Sequence, residues 1–133
     1  AKQDNTGLAR FTRSLIRLRR SQPQLMRTTY VNQNDVQWHG LEPHEPDWTE
    51  SSRLVAFTCN KEDGGGIYVA FNTSHKSIVV NLPAWEGRIW QPTIDSSKLT
   101  PYDCLVADEY LSHEEIKAAR RSHAMWTAAG SYP

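Results

Sequence analysis

The stretch RLVAFTCNKEDGGGIYVAFN, residues 53–72, decides the fold of this chain. It holds two apolar runs, residues 53–59 and 67–72, on either side of the polar turn 61–66. Three consecutive glycines in the turn supply the positive φ angles that tight connections need. Two short β-branched and aromatic runs around such a turn are typical of a β-hairpin. The sequence therefore predicts two antiparallel strands here, the first of them partly buried on both sides.

Further strand-like runs flank this hairpin. Residues 36–40 precede it, and residues 77–83 and 88–92 follow it, each bounded by turn-forming residues. The loop 41–48 holds two prolines in four positions, which makes it stiff and extended. Successive strands separated by short turns predict an antiparallel, mainly β domain.

Two helices are expected outside the strands. Residues 6–22 place Leu8, Phe11, Leu15 and Leu18 at helical spacing, with Ile16 widening the apolar side. Pro23 ends this amphipathic helix. Near the C-terminus, Ser112 and Glu115 have the spacing of a capping box, so a short helix is expected over residues 116–121.

A stripe of arginines, Arg13, Arg17 and Arg20, lies on a separate side of the first helix. Surface helices commonly carry charge in this way, so a solvated face is the simple interpretation. A phosphate or sugar site is the alternative.

Composition excludes several classes of protein. The 133 residues suit one domain, or one domain with an appended element. Fifteen basic and fifteen acidic residues balance, so nucleic acid is not an expected partner. No apolar run is long enough for a membrane span, and Cys59 and Cys104 are too few for a disulfide framework. The chain has no signal segment and no initiating Met, and both ends look like cuts in a longer protein.

No catalytic residue is expected in this chain. A glycosidase of the usual kind needs two carboxylates around the scissile bond, and the acids here are scattered over loops and helix starts. His39, His44 and Asp47 match no ligand spacing of a structural metal site. The sequence therefore predicts neither a metal nor a cofactor.

Carbohydrate binding is the one site prediction that the residues themselves support. Trp38, His39, Asp47 and Trp48 combine indoles with polar neighbours next to a stiff loop. Indoles stack on sugar rings while polar groups fix the orientation of the ligand. The alternative is that these indoles, like Trp90, pack in the core or between domains.

An ordered series of motifs resembles a known family. Residues 11–25, FTRSLIRLRRSQPQL, are similar to the last barrel helix of α-amylase-superfamily enzymes. The series VQWHG, PDW and SRLVAFT, followed by IYVAFNTSH, LP, WQP and PYD, resembles the C-terminal region of isoamylase-type starch and glycogen debranching enzymes. The similarity keeps its order over residues 8–104 and weakens beyond Asp103.

The resemblance implies a fold and a role. Residues 1–25 would be the last helix and connector of a (β/α)₈ barrel, and residues 26–133 a C-terminal β-sandwich cut before its final strand. The parent would hydrolyse α-1,6-glucosidic branch points with barrel carboxylates that have no counterpart here. Its partners would be the upstream barrel, an α-glucan, and other subunits of a homo- or hetero-oligomer. Its location would be the plastid stroma in a plant or alga, and otherwise the cytoplasm.

Overall fold

The computed structural model describes residues 5–62, 64–122 and 131–132. The chain divides into two compact units, one combining the first helix with the segment that begins at Gln91, the other running from Pro23 to Trp90 and including the last strand. The division into residues 1–25 and 26–133 stays a prediction. The elements are α1 (Asn5–Ser21), a 3-10 turn (Pro23–Leu25), β1 (Val36–His39), β2 (Leu54–Asn60), β3 (Gly66–Asn72), β4 (Val80–Asn81), α2 (His113–Ser122) and β5 (Ser131–Tyr132).

A three-stranded antiparallel sheet in the order β1-β2-β3 organises the second unit. Trp38 pairs with Phe57, Phe57 with Val69, and Val55 with Phe71. Because side chains alternate along a strand, these residues share one face of the sheet. The other face carries His39, Ala56 and Thr58, all of them buried, together with Tyr68. The prediction of mainly antiparallel strands is confirmed.

The glycine turn closes the hairpin of β2 and β3 as the sequence predicts. Asn60 pairs with Gly66, and the Lys61 backbone N–H donates to the Gly65 carbonyl at 2.9 Å. Gly64 and Gly65 have φ angles of 80° and 99°, which favour residues without a Cβ. The turn therefore needs two of its three glycines for backbone conformation.

The strands predicted after this hairpin are shorter or absent. The strand expected over residues 77–83 is reduced to β4, which pairs Val80 with Tyr132 and Asn81 with Ser131 of β5. The strand expected over residues 88–92 is wrong, since no strand is formed there. Trp90 instead donates its indole N–H to the Pro83 carbonyl at 2.8 Å and packs edge-on against Trp85 and Tyr68. Side-chain contacts, not a backbone ladder, hold this segment.

The described strands thus form one three-stranded and one two-stranded sheet. A β-sandwich and a barrel origin for α1 stay predictions. Part of the region after Ser122, residues 123–130 and 133, lies outside the described residues.

The first unit holds α1, whose predicted span is confirmed to within a residue at each end. The predicted apolar stripe is only partly covered, since Phe11 and Leu18 are half-buried. Arg10 and Ser14 are buried, whereas Leu8, Leu15 and Ile16 are exposed.

A small apolar cluster of Leu105, Leu111 and Ile116, with Ala119 packed against it, lies around α2 in the same unit. The capping box is confirmed. The Glu115 carboxylate accepts the Ser112 backbone N–H at 2.7 Å, and the Ser112 hydroxyl accepts the Glu115 N–H at 3.2 Å. Two of the donors that a helix N-terminus leaves free are thereby satisfied. No helix in the described part of the chain has the length and apolar character of a membrane span.

Candidate functional surfaces

Four aromatic side chains form a partly exposed strip on the sheet of the second unit. This aromatic surface comprises Trp38, Trp48, Phe57 and Phe71. The Trp38 ring centroid lies 5.3 Å from that of Trp48 and 5.5 Å from that of Phe57, both edge-on. Phe57 lies 6.5 Å from Phe71. Trp48 remains 65% exposed and Trp38 45%, so two indoles present surface to solvent beside each other. The structure brings these two predicted residues together.

Asp47 sits next to Trp48 in the β1–β2 loop and is exposed. Its carboxylate accepts the Thr49 backbone N–H at 3.0 Å. This backbone hydrogen bond, assisted by the Thr49 side chain, holds the pKa of Asp47 below its usual value. The carboxylate therefore stabilises the turn that carries Trp48, and it is ionised at neutral pH.

His39 lies on the opposite face of the sheet from Trp38. Its Nε2 lies 3.0 Å from the Thr58 hydroxyl, and its Nδ1 accepts the His44 backbone N–H at 2.9 Å. This arrangement assigns the proton of the neutral imidazole to Nε2. Burial, and secondarily the nearby His44, lowers the pKa of His39. Both ring nitrogens thus have protein partners, and the carbohydrate contact expected of His39 stays a prediction.

Several carboxylates serve as turn formers or ion-pair partners. Asp35 accepts the Asn32 N–H at 3.0 Å and pairs with Arg27 at 2.7 Å. Asp95 accepts the Ser97 N–H at 2.9 Å. Asp103 and Asp108 both bind Arg10. Asp35 and Asp95 thus stabilise turns, whereas Asp103 is a buried ion-pair partner and not a solvated surface acid.

Arg10 is a buried cation in the first unit, with an exposed fraction of only 3%. Its guanidinium donates to the Asp108 carboxylate at 2.9 Å, to the Asp103 carboxylate at 3.0 Å, and to the carbonyls of Pro101 and Cys104 at 3.0 Å each. Four hydrogen bonds to one guanidinium satisfy most of its five donors. The Tyr110 ring lies 5.4 Å from the Arg10 guanidinium carbon, at cation–π distance.

Sequence reasoning missed Arg10, because only Arg13, Arg17 and Arg20 form a regular stripe. The available signal was the pairing of Arg10 with a small residue one turn later, Ser14, which is also buried. Small residues let a helix approach a neighbouring segment closely, so a buried stripe through Gly7, Arg10 and Ser14 was open to inference.

A polar cavity of about 220 Å³ lies beside Arg10 in the first unit. On one side α1 contributes Arg10, Arg13, Ser14 and Arg17. On the other side the segment before α2 contributes Asp108, Glu109 and Tyr110. We call this feature the arginine cavity. It joins two members of the arginine stripe to residues about 95 positions away along the chain.

Both cysteines are free and buried. Burial raises the pKa of the Cys59 and Cys104 thiols, so they are poor nucleophiles at neutral pH. Within residues 5–62, 64–122 and 131–132, no group of three or more His, Cys, Asp or Glu side chains is placed to hold a metal ion.

Comparison with known proteins places the chain in a family. A family model described as "Isoamylase 1-3, C-terminal" matches residues 37–133. Isoamylase 1 of Arabidopsis thaliana, named as chloroplastic, is 40% identical over 132 residues, which cover 99% of this chain. Isoamylase SU1 of Zea mays, also named as chloroplastic, is 42% identical over 104 residues, or 78% of the chain.

A third relative is less similar to this chain, and all three relatives are much longer than it. Isoamylase 3 of Oryza sativa is 35% identical over 106 residues, or 77% of this chain. The chain spans only 13% to 16% of the length of these curated relatives. The resemblance that the ordered motifs indicate is confirmed, and the chain belongs to the isoamylase 1–3 C-terminal family.

Proposed function

We propose that this chain is the non-catalytic C-terminal domain of an isoamylase-like debranching enzyme. The complete protein would hydrolyse α-1,6-glucosidic branch linkages in starch- or glycogen-type glucans. The observation that supports this most is the similarity of nearly the whole chain to a plant isoamylase of which it spans 16%. The paired carboxylates that glycoside hydrolysis requires would lie in the remainder of the protein.

The roles of the acids in this chain agree with the proposal. Asp103 and Asp108 form ion pairs with Arg10, and Asp35 forms one with Arg27. A general acid needs a raised pKa, but Asp35, Asp47, Asp108 and Glu115 all have lowered pKa values. These four carboxylates are therefore poor proton donors near neutral pH.

Incubation with amylopectin tests the non-catalytic role. We expect no new reducing ends from the 133-residue chain, whereas a complete isoamylase releases them from the same substrate. Production of reducing ends by the chain alone, in proportion to its concentration, would overturn the assignment.

A second proposed role is glucan contact through the aromatic surface. The exposure of Trp48 and Trp38 favours it, because two neighbouring indoles offer stacking area for successive sugar rings. Asp47, exposed and ionised next to Trp48, would accept hydrogen bonds from sugar hydroxyls. His39 would support the site only indirectly, by fixing the start of the loop through its bond to the His44 backbone.

Affinity electrophoresis in gels containing amylopectin measures this contact. We expect Trp48→Ala to abolish the retardation of the chain and Trp48→Phe to retain part of it. Tyr30→Ala is the control, because Tyr30 is fully exposed and lies outside the aromatic surface. Equal retardation of the Trp48→Ala variant and the unmodified chain would exclude glucan binding here and leave a structural or subunit-interaction role.

A third proposal concerns the upstream barrel. Leu8, Leu15 and Ile16 lie on one side of α1, and all three are at least 40% exposed. An apolar helix side of this kind requires a partner. We propose the (β/α)₈ barrel of the same protein as that partner, with another subunit as the alternative.

The location follows from the relatives. Those compared above are named as chloroplastic. If this chain comes from a plant or alga, we propose the plastid stroma as its location, and otherwise the cytoplasm.

A further inference from the structure

The arginine cavity holds two arginines that the fold does not use. Arg13 and Arg17 are exposed and line the cavity one helical turn apart. In the described part of the chain, neither has an ion-pair partner within 4.0 Å. Like charges at this spacing repel each other on a helix. An anion placed between the two guanidinium groups would relieve this repulsion.

The third arginine of the cavity is already paired with two carboxylates. Arg10 binds both Asp103 and Asp108 and directs four hydrogen bonds into the protein. Its role is therefore to hold the wall of the cavity, not to bind a ligand. The positive charge available to a ligand comes from Arg13 and Arg17. It is opposed by Glu109 and by the one negative charge in excess where Arg10 pairs with both Asp103 and Asp108.

The side chains that line the cavity select the chemistry of the ligand. Guanidinium groups bind phosphate oxygens through two parallel hydrogen bonds, and arginine is the residue of choice for such recognition. Tyr110 also lines the cavity and keeps its ring against Arg10. The volume of about 220 Å³ is below the roughly 300–1,000 Å³ of pockets for drug-sized molecules. It suits a phosphate group with part of one sugar, not an oligosaccharide.

We propose that the arginine cavity binds a phosphate monoester, held by the guanidinium groups of Arg13 and Arg17. The inference does not depend on the proposed debranching role. Nor does it involve the aromatic surface, which shares no residue with the cavity.

Isothermal titration of the chain with glucose 6-phosphate, inorganic phosphate and glucose tests the proposal. We expect saturable binding of glucose 6-phosphate, weakened by added salt, and no binding of glucose. Arg13→Gln and Arg17→Gln should each weaken binding about tenfold or more, as loss of a charge-assisted hydrogen bond implies. Arg20→Gln is the matched control, because Arg20 is on the same helix but does not line the cavity.

Substitution of Glu109 distinguishes a site for phosphate monoesters from a site for neutral sugars. Glu109→Gln should tighten binding of glucose 6-phosphate, because it removes a negative charge that opposes the ligand. A site for neutral sugars would instead lose an acceptor of hydroxyl hydrogen bonds and bind more weakly. Circular dichroism of each variant checks that the fold is retained.

The relative affinities for inorganic phosphate, glucose 6-phosphate and glucose show what the arginine cavity recognises. Equal affinity for inorganic phosphate and glucose 6-phosphate would support a site that reads the phosphate alone. Tighter binding of the ester would support a site that also contacts the sugar. Absence of saturable binding, binding of glucose as tight as that of its phosphate, or unchanged affinity in both Arg13→Gln and Arg17→Gln would overturn the proposal.

Discussion

At the scale of single residues, Arg10 supplies the positive charge on which two buried carboxylates depend. The Asp103 and Asp108 side chains are 10% and 9% exposed, and each contacts the guanidinium within 3.0 Å. Replacing both partners of a buried ion pair by apolar residues often changes stability little. Removing only one partner is strongly destabilising, because it leaves an uncompensated buried charge. The contribution of Arg10 to the free energy of unfolding is therefore measured by replacing Arg10 alone and keeping both carboxylates.

We expect Arg10→Met to lower the free energy of unfolding by about 3–5 kcal/mol. The variant retains the length of the side chain but leaves two carboxylates without their cation. Arg10→Lys should lose less, because lysine keeps the charge but not the planar fork. Urea unfolding followed by circular dichroism measures the loss. Arg20→Met, at an exposed position of the same helix, should change stability by no more than about 0.5 kcal/mol.

Asp108 also predicts a dependence of stability on pH. Burial raises its pKa, but the backbone N–H groups of Leu111 and Tyr110 and the Arg10 guanidinium together lower it below the ordinary value of 3.8. A lowered folded-state pKa means that this carboxylate stabilises the fold fully above the unfolded-state value. The contribution is lost as the pH falls through the folded-state pKa.

The Asp108→Asn variant measures this contribution. At neutral pH it should unfold at lower urea concentration than the unmodified chain. As the pH falls below 3.8, the difference between the two proteins should shrink, because Asp108 itself becomes protonated. A difference that stays constant down to acid pH would show that the charge of Asp108 contributes nothing.

At the scale of elements, the sequence predicts best where the signal is local. The hairpin 53–72, the helix start at Ser112 and the span of α1 each follow from residues close together in the chain. The strand predicted over residues 88–92 does not form, because the adjacent Ile89 and Trp90 have no partner strand in the described part of the chain. The conformation of this segment depends instead on Pro83 and on the rings of Tyr68 and Trp85. Strand propensity depends on neighbouring residues only, so it cannot predict contacts between side chains that are distant in the sequence.

The candidate sites follow the same rule. Trp38 and Trp48 are ten positions apart, and their proximity was predictable from one short loop. The arginine cavity joins α1 to residues 108–110, and no local pattern relates these segments. For the same reason the buried position of Arg10 was not predicted, because apolar spacing along α1 identifies an apolar side but not the segments that contact the rest of the helix.

The capping box of α2 gives the prediction at this scale. Ser112→Ala removes the hydroxyl that accepts the Glu115 N–H, and should destabilise the unit by about 1 kcal/mol. Glu115→Gln keeps an acceptor for the Ser112 N–H and should cost less. Amide hydrogen exchange within α2 localises the effect. Ser97→Ala, in a turn outside α2, is the control, and equal loss of protection in both variants would contradict the capping role.

At the scale of the whole molecule, the chain carries two apolar surfaces that its own described residues do not cover. One is the aromatic surface of the sheet, and the other is the side of α1 that presents Leu8, Leu15 and Ile16. Exposed apolar patches of this kind mark interaction sites, so we expect both surfaces to contact other parts of the protein or other molecules. The chain spans 13% to 16% of the length of its isoamylase relatives, and both surfaces agree with the proposal that it is one domain of a longer protein.

If α1 packs against the barrel, substitution of Leu15 should have a small effect in this chain and a large effect in the complete protein. Leu15 is 40% exposed in this chain, so Leu15→Glu should change the unfolding of the chain by no more than about 0.5 kcal/mol. If α1 packs against the barrel, the same substitution in the complete enzyme introduces a buried charge and destabilises it by several kcal/mol. Ser21→Glu, at an exposed position of α1 on a different side of the helix from Leu15, is a charge-matched control in both proteins. Thermal unfolding of the four variants decides the matter. An equal, small effect of Leu15→Glu in both proteins would exclude the barrel as the partner of this helix side, because a leucine buried at an interface cannot accept a carboxylate without loss.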